Sequence, residues 1–308
     1  MQSGKLFFFL LISVFVLYSC GKNKFDDGNG YQTSVLEVVD DLNDTLKFKS
    51  YPQKIISLAP NLTEMIYALK SEDKLIANTI YCNFPEAAKT KEKIGDLFSI
   101  DFEKIIALKP DLVLMTVEGN NKGSYEKLIE LNFKVFVSNP RNYEGIVKTF
   151  SDFGKILGKE SFAFSKINEW NKRLSKIVNE RKQTEKRKTL FLISLNPLLT
   201  ASGKTFINEY LNYCNLENIV GDSPVNYPAL SREEVLKRNP EIIIVQRGVS
   251  KDELIAQFPE WKNLSAVKEN RIIEIEPDLY FRPGPRFIEA LENLEKQLTR
   301  RVRRTMNK

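Results

Sequence analysis

An internal repeat is the feature that most constrains how this chain can fold. The stretches FEKIIALKPDLVLM (residues 102–115) and REEVLKRNPEIIIV (residues 232–245) follow the same order of residue types. In both, apolar residues at helical spacing lead to a proline, and an apolar run typical of a buried strand follows. Pro110 and Pro240 disfavour the α-helical conformation of the residue before them, so each helix should end there. Each stretch therefore predicts a helix, a turn and a buried strand.

A second echo extends the repeat to other parts of the chain. KIISLAPN (residues 54–61) and FLISLNP (residues 191–197) each predict a buried strand that runs into a proline turn before a helix. Asp101 is placed to cap the helix of the first long repeat, and Ser231 and Glu234 have the spacing of a capping box in the second. Two echoes in the same order and at a similar offset predict two similar α/β lobes.

The region between the repeats, residues 143–187, is predicted to be helical. One helix should end at Gly158, and a second should run from about residue 161 to 182. At 1.5 Å per residue the second helix spans roughly 30 Å, and a single rigid helix between lobes allows little hinge opening. The predicted fold class is therefore α/β, with two similar α/β lobes (residues 35–142 and 188–308) joined by a long bridging α-helix and a ligand cleft between them.

The N-terminus has the pattern of a targeting segment. Lys5 precedes an apolar run over residues 6–16, which is too short to span a bilayer and has the length of a signal-peptide core. The run ends in LYSCG, which resembles the lipobox of bacterial lipoproteins, so residues 1–19 are assigned as signal peptide and Cys20 as the lipidated first residue of the mature chain. A secretory peptide with an incidental cysteine is the alternative. Residues 20–34 are polar and are predicted to form a flexible tether.

Composition excludes several classes of chemistry. The chain contains no histidine, which excludes Ser-His-Asp and Cys-His catalysis and imidazole metal sites. The stretch ASGKT (residues 201–205) resembles the end of a phosphate-binding P-loop, but Leu198 stands where that motif requires glycine. We therefore predict no metal site, no cofactor and no enzyme activity. A carboxylate-dependent surface hydrolase and a structural surface lipoprotein without a small ligand remain as alternatives.

Cysteine and charge give two further expectations. Cys82 and Cys214 fall in different predicted lobes, so the geometry of a disulfide disfavours their pairing and both are predicted to be buried thiols. The formal net charge is +6, and arginines in the last ten residues supply much of it. We interpret this basic tail as solvated, and expect no nucleic-acid partner because the chain is exported. The protein is expected to be a monomer.

The best candidate for a ligand-binding segment is DLYFRPGPRF (residues 278–287), which follows an apolar strand and precedes a helix. Loops after strands are where α/β lobes bind ligands. Turns at equivalent positions carry Tyr81 and Tyr227. Aromatic rings together with Asp278 and Arg282 suit a large ligand with a flat apolar surface and an amide or carboxylate rim. The alternative interpretation is that the aromatic rings belong to the core and that Asp278 and Arg282 form a surface pair.

From about residue 54 to its end, the chain resembles the periplasmic cobalamin-binding proteins of ATP-binding-cassette (ABC) importers, within the wider group of helical-backbone receptors for metal chelates. The resemblance rests on these stretches, in order: KIISLAPNLTEMIYAL, YCNFPEAAK, FEKIIALKPDLVL, NPLLTASGKTFINEYLNYCNLENIVGDS, YPALSREEVLKRNPEIIIV and PDLYFRPGPRF. It implies two α/β lobes joined by a long helix, with ligand in the cleft. It further implies that Tyr81, Tyr227, Asp278 and Arg282 face a corrinoid.

The chain also departs from that family. Cobalamin binders carry tryptophan at the positions of Leu97 and Thr116, and a Trp rather than Tyr227 in the YP turn. Phe98, one position after Leu97, is a candidate replacement contact. Other members of the group bind ferric siderophores or haem, and the absence of histidine disfavours haem. The expected function is capture of cobalamin or a related corrinoid and its delivery to a membrane permease; a ferric siderophore or another iron chelate is the alternative ligand.

The two long repeats each place a glutamate, Glu103 and Glu233, at about the second helical position. An acid there stabilises the helix dipole by roughly 0.3–1 kcal/mol, which would explain either residue alone. The resemblance implies a second role, because cobalamin binders use glutamates at these two places to contact arginines of the permease. The expected partners are therefore an ABC-importer permease and its ATPase, and the expected location is the cell envelope, in the periplasm and attached to a membrane by the lipid anchor.

Overall fold

The computed structural model describes the backbone of residues 36–306 and the side chains of residues 36–300. The described chain begins with an antiparallel hairpin of β1 (Leu36–Val39) and β2 (Thr45–Phe48). The predicted signal peptide, Cys20 and the tether lie outside the described residues. Among the described residues, every helix is too short or too polar to cross a membrane.

The N-terminal lobe is built on a parallel five-stranded sheet in the order β5-β4-β3-β6-β7. Its strands are β3 (Ile55–Ser57), β4 (Leu75–Asn78), β5 (Glu92–Lys93), β6 (Leu112–Thr116) and β7 (Val135–Ser138). Its helices are α1 (Pro60–Ala68), α2 (Phe102–Leu108) and α3 (Lys122–Glu130), and a short 3₁₀ helix spans Glu86–Thr90. Because the strands are parallel, their carboxyl ends and the loops that follow them lie along one edge of the sheet.

The connection between the lobes consists of two helices, α4 (Tyr143–Ile156) and α5 (Glu160–Arg181). Gly158 lies in the turn between them with φ +67°, the left-handed conformation that glycine adopts without strain. Helix α5 has 22 residues and buries Trp170, Leu174 and Ile177, which belong to the apolar stripe in the sequence. The long bridging helix is therefore present at the predicted position.

The C-terminal lobe repeats the architecture. Its sheet has the parallel order β10-β8-β11-β12, with β9 added antiparallel to β8. The strands are β8 (Arg187–Leu195), β9 (Leu198–Thr200), β10 (Leu216–Asn218), β11 (Ile242–Gln246) and β12 (Ile272–Ile275). The helices are α6 (Ile207–Tyr213), α7 (Arg232–Arg238), α8 (Lys251–Gln257), α9 (Ser265–Lys268), α10 (Pro277–Tyr280) and α11 (Phe287–Met306), with a 3₁₀ helix at Pro259–Asn263.

The long repeat folds into matching units. Helices α2 and α7 have seven residues each, and strands β6 and β11 have five residues each. Asp101 and Ser231 cap their helices as predicted. The side chain of each accepts a hydrogen bond from the backbone N–H group three residues ahead. The reciprocal half of the predicted capping box is not formed, because the Glu234 carboxylate binds Arg238 instead, at 2.6 Å.

The structure confirms the prediction from the shorter repeat in the first lobe only. In the first lobe β3 leads through Pro60 directly into α1, as predicted. In the second lobe the prediction of a helix after the proline turn is wrong: the chain turns at Pro197 into strand β9, which pairs back onto β8, and α6 begins only at Ile207. The three residues after Pro197 form a hairpin with β8, so strand pairing and not a helix satisfies their backbone groups.

A continuous apolar core joins the lobes. One cluster of buried side chains contains residues of β3 and β6 in the first lobe, of α4 and α5, and of β8, β11 and α11 in the second. Two further clusters cover the other faces of the two sheets. Cys82 and Cys214 are both buried free thiols, as predicted. The shared core means that the lobes are packed against each other and not only tethered by a helix.

Candidate ligand cleft between the lobes

A cavity of about 410 Å³ lies between the two lobes. The loops that line it follow strands of both sheets, so it occupies the place where paired α/β lobes bind ligands. Four residues singled out in the sequence line this one cavity: Tyr81, Tyr227, Asp278 and Arg282. Most of the remaining lining is apolar and includes Ile193, Phe206, Ile207 and Phe281. The cleft can thus hold a molecule with a broad apolar surface.

The two positions at which the resemblance leads us to expect tryptophan also lie at this cavity. Leu97 and Thr116 both line it, while Phe98 does not belong to the lining and is 70% exposed. Asp96 accepts hydrogen bonds from the backbone N–H groups of Phe98 and Ser99, which fixes a tight turn at this point. The turn directs Leu97 toward the cleft. This arrangement does not support the prediction that Phe98 replaces a tryptophan as a ligand contact.

The two tyrosines differ in their surroundings. Tyr81 is 48% exposed at the mouth of the cleft. Tyr227 is half-buried, and its hydroxyl donates a hydrogen bond to Glu118 Oε2 at 3.0 Å. Burial, together with the charge of Glu118, raises the pKa of the Tyr227 phenol, so that it keeps its proton and remains a donor. Because Glu118 belongs to the first lobe and Tyr227 to the second, this bond crosses the cleft.

Arg282 and Asp278 form an ion pair in the cleft wall, with 2.7 Å between Nη2 and Oδ1. Arg282 also donates through Nη1 to Asn83 Oδ1 at 2.8 Å and to Glu64 Oε1 at 3.0 Å. Its side chain is only 11% exposed, and the Asp278 side chain is 47% exposed. The pairing expected from the alternative interpretation is therefore present, but it lies in the cleft. The guanidinium group already binds three side chains, Asp278, Asn83 and Glu64.

Sequence reasoning missed two carboxylates: Glu118, which lines the cavity, and Glu64, which lies behind the cleft wall and binds Arg282. Glu64 lies on α1 with its side chain 1% exposed, and Arg286 binds both of its oxygens, at 2.8 and 2.7 Å. Burial alone would lower the pKa of the Arg286 guanidinium, but its bonds to Glu64 and the neighbouring carboxylates hold that pKa above its ordinary value. Arg286 also stacks on Phe84, with 3.9 Å between its Cζ atom and the centroid of the ring. The sequence did contain a signal for Glu64. RPGPR has two arginines, Arg282 and Arg286, but only one acid, Asp278, closely precedes them, so a second carboxylate partner could have been expected.

Glu103 and Glu233 occupy equivalent places in the two lobes. Each is exposed in the first turn of its helix, α2 or α7. Bonds from backbone N–H and from Ser231 lower the pKa of the Glu233 carboxyl, which is therefore ionised at neutral pH. In parallel α/β lobes, helix N-termini lie at the same edge as the carboxyl ends of the strands, so both charges lie toward the side on which the cleft opens.

Other parts of the described surface offer less. A broader depression of about 740 Å³ runs along the polar outer face of α5, but it is open to solvent and bounded mainly by Asn, Lys and Ser side chains. Among residues 36–306 there is no cluster of three or more Cys, Asp or Glu side chains placed to hold a metal ion. The interlobe cleft is therefore the best candidate site in this part of the chain.

Comparison with known proteins agrees with this architecture. Residues 55–279 match the family model described as periplasmic binding protein. A vitamin B12-binding protein of Photorhabdus laumondii is 34% identical over 247 residues, covering 80% of this chain and 88% of the relative. The uncharacterised ABC transporter substrate-binding lipoprotein YvrC of Bacillus subtilis is 31% identical over 301 residues, covering 94% of this chain and 95% of the relative.

Solved structures show the same fold. The periplasmic vitamin B12-binding protein BtuF of Vibrio cholerae superposes with a TM-score of 0.71 and 27% sequence identity, covering 82% of this chain and 98% of that one. A match of this coverage extends into both lobes. The chain therefore belongs to the periplasmic binding protein family, among substrate-binding proteins of ABC import.

Proposed function

We propose that this protein captures cobalamin or a related corrinoid in the interlobe cleft and delivers it to an ABC-importer permease. One observation carries the choice of ligand. Among the described residues that line the cavity, the only cationic side chain is Arg282, and Glu64, Asp278 and Asn83 already bind it. Two carboxylates, Glu118 and Asp278, line the same cavity. The cleft thus offers hydrogen-bond acceptors and no free cation.

This charge arrangement favours one class of metal chelate over the others. A corrinoid has a rim of neutral amide groups, whose N–H atoms can donate to carboxylates. Haem carries propionates, and carboxylate and catecholate siderophores carry a net negative charge, so free cations in a site favour these ligands. Aromatic and aliphatic walls suit the flat apolar face of the macrocycle. The names of the relatives from Photorhabdus and Vibrio support the same choice.

The rest of the transport role is proposed from the sequence and the relatives. Cys20 is the lipidated residue, which anchors the mature chain at the cell envelope, and the Bacillus relative is itself named a lipoprotein. Glu103 and Glu233 contact the permease. Substitution of Cys20 by serine should release the protein from the membrane fraction, as measured by fractionation and immunoblotting. Unchanged membrane association of that variant would reject the lipid anchor.

The ligand is tested by incubating the purified mature chain with cyanocobalamin, followed by gel filtration and absorbance spectroscopy. We expect the pink corrinoid to elute with the protein in a ratio near one to one. A hydroxamate siderophore loaded with iron and haemin serve as matched competitors. Retention of the ferric siderophore but not of cyanocobalamin would favour the alternative ligand class, and turnover of an ester or peptide without retention of any ligand would favour the hydrolase.

A further inference from the structure

Resting on the proposed function, we propose that Glu118 sets the selectivity of the cleft for amide-rimmed over carboxylate-rimmed ligands. The chain reaches Glu118 just after strand β6, in the polar loop EGNNKG. Its side chain is 27% exposed, so it is accessible to a ligand and yet partly desolvated. It lines the cavity beside Thr116 and opposite Tyr227.

Two partners hold the Glu118 carboxylate from opposite sides. Oε1 pairs with Nη1 of Arg141, which comes from the loop between β7 and α4 in the same lobe. Oε2 accepts the hydroxyl of Tyr227 from the other lobe at 3.0 Å. Arg141 does not line the cavity, so a ligand in the cleft meets the carboxylate and not the guanidinium group. Arg141 therefore fixes the acceptor, and only the Tyr227 bond faces the ligand space.

The size of the cavity makes that bond exchangeable. A volume of about 410 Å³ suits a drug-sized molecule, and a corrin ring with its amide side chains is larger. In this proposal the ligand extends into the space where Glu118 and Tyr227 meet, and separates them. Glu118 Oε2 then loses one neutral donor and needs another.

A ligand amide replaces the lost donor without a net loss of hydrogen bonds, since an amide N–H and a phenol O–H are both neutral donors. A ligand carboxylate at the same place cannot donate, leaves Oε2 unpaired and adds a like charge within a partly desolvated site. Selectivity of this kind depends on rejecting the wrong ligand as much as on binding the right one. We expect a carboxylate to weaken binding about tenfold or more.

The test compares cyanocobalamin with its monocarboxylic acids, in which one peripheral amide has been hydrolysed. Each is titrated calorimetrically into the unmodified protein and into Glu118→Gln at pH 7. The unmodified protein should bind at least one acid isomer about tenfold or more weakly than cyanocobalamin. In Glu118→Gln the side-chain amide can donate to a carboxylate, so this difference should fall to about threefold or less for the same isomer.

Glu126→Gln is the matched control. Glu126 is an exposed carboxylate on α3 in the same lobe, paired with Lys122 and away from the cleft, so its substitution makes the same change in charge. It should leave the discrimination between amide and acid unchanged. Equal discrimination in Glu118→Gln and the unmodified protein, or no discrimination by the unmodified protein, would overturn the role of Glu118 alone. Failure of the unmodified protein to bind any corrinoid would instead reject the proposed function.

Discussion

Two carboxylates of the first lobe, Glu64 and Glu118, bind side chains of the second lobe, but one is buried and the other is partly exposed. Glu64 is buried on α1, with both oxygens held by Arg286 and a further bond from Arg282. Glu118 is at the mouth of the cleft and partly exposed, with one bond to its own lobe and one to Tyr227. The first carboxylate has no oxygen left for a ligand, whereas the second can exchange a partner. The same residue type thus holds the lobes together at one place and meets ligand at the other.

The energetic reason lies in desolvation. Removing one member of a buried ion cluster leaves the remaining charges without partners in a medium that solvates them poorly, which typically costs about 3–5 kcal/mol. A partly exposed pair such as Glu118–Arg141 keeps part of its hydration whether or not it forms, and contributes about 1 kcal/mol or less. Stability should therefore depend on Glu64 and ligand selectivity on Glu118.

The sharpest test of this comparison is Glu64→Ala. The substitution leaves Arg282 and Arg286 facing each other without the carboxylate that separates them, so we expect the free energy of unfolding to fall by about 3–5 kcal/mol. Urea denaturation followed by circular dichroism measures this change. Glu118→Ala is the comparison variant and should lose about 1 kcal/mol or less. Similar losses in the two variants would remove the distinction between the two carboxylates.

A second prediction concerns the aromatic walls at the mouth of the cleft. Tyr81→Ala and Tyr227→Ala should each weaken corrinoid binding severalfold or more, since stacked aromatic contacts contribute about 0.5–1.5 kcal/mol beyond their buried area. Calorimetric titration measures the affinity. Phe164→Ala removes a 67% exposed ring on α5 and is the control. Unchanged affinity in both tyrosine variants would show that the ligand lies elsewhere.

A smaller effect is expected from the third set of carboxylates, Glu103 and Glu233. Replacing both with alanine should slow association with reconstituted permease a few-fold and make it less sensitive to salt, because exposed charges guide encounter more than they add affinity. Surface plasmon resonance at two salt concentrations measures the rates, and uptake in cells measures the consequence. Corrinoid affinity should be unchanged. The double variant Glu126→Ala, Glu269→Ala removes two other exposed acids, and an equal effect from it would indicate general charge loss only.

The smallest expected change is in overall shape. A shared apolar core, helix α5 and the Glu64 cluster all connect the lobes. Ligand should therefore separate Glu118 from Tyr227 by local movement, with only a slight change in the radius of gyration. Small-angle X-ray scattering with and without cyanocobalamin measures this. A large closure would mean that the buried contacts between the lobes are as exchangeable as those at the mouth.

Local secondary structure could be predicted from the sequence. The helix-proline-strand units of the repeat, the caps at Asp101 and Ser231 and the long helix α5 all follow from residues within a few positions of one another. Such signals act through hydrogen bonds and packing along one element, so the amino-acid order alone carries them. The positions of Tyr81, Tyr227, Asp278 and Arg282 at one cavity also followed, because loops after parallel strands share an edge.

Only the tertiary structure decided which residues of the cleft already have hydrogen-bond or ion-pair partners. Arg282 and Glu64 are 218 residues apart, and Tyr227 and Glu118 are 109 apart. The turn at Asp96 decided that Leu97 and not Phe98 lines the cleft. Partners so distant in the chain meet only after both lobes have packed on the shared core, and no spacing rule connects them. The sequence by itself therefore determined the lobes and the loops of the cleft, while packing between the lobes determined its charge and its free hydrogen-bonding groups.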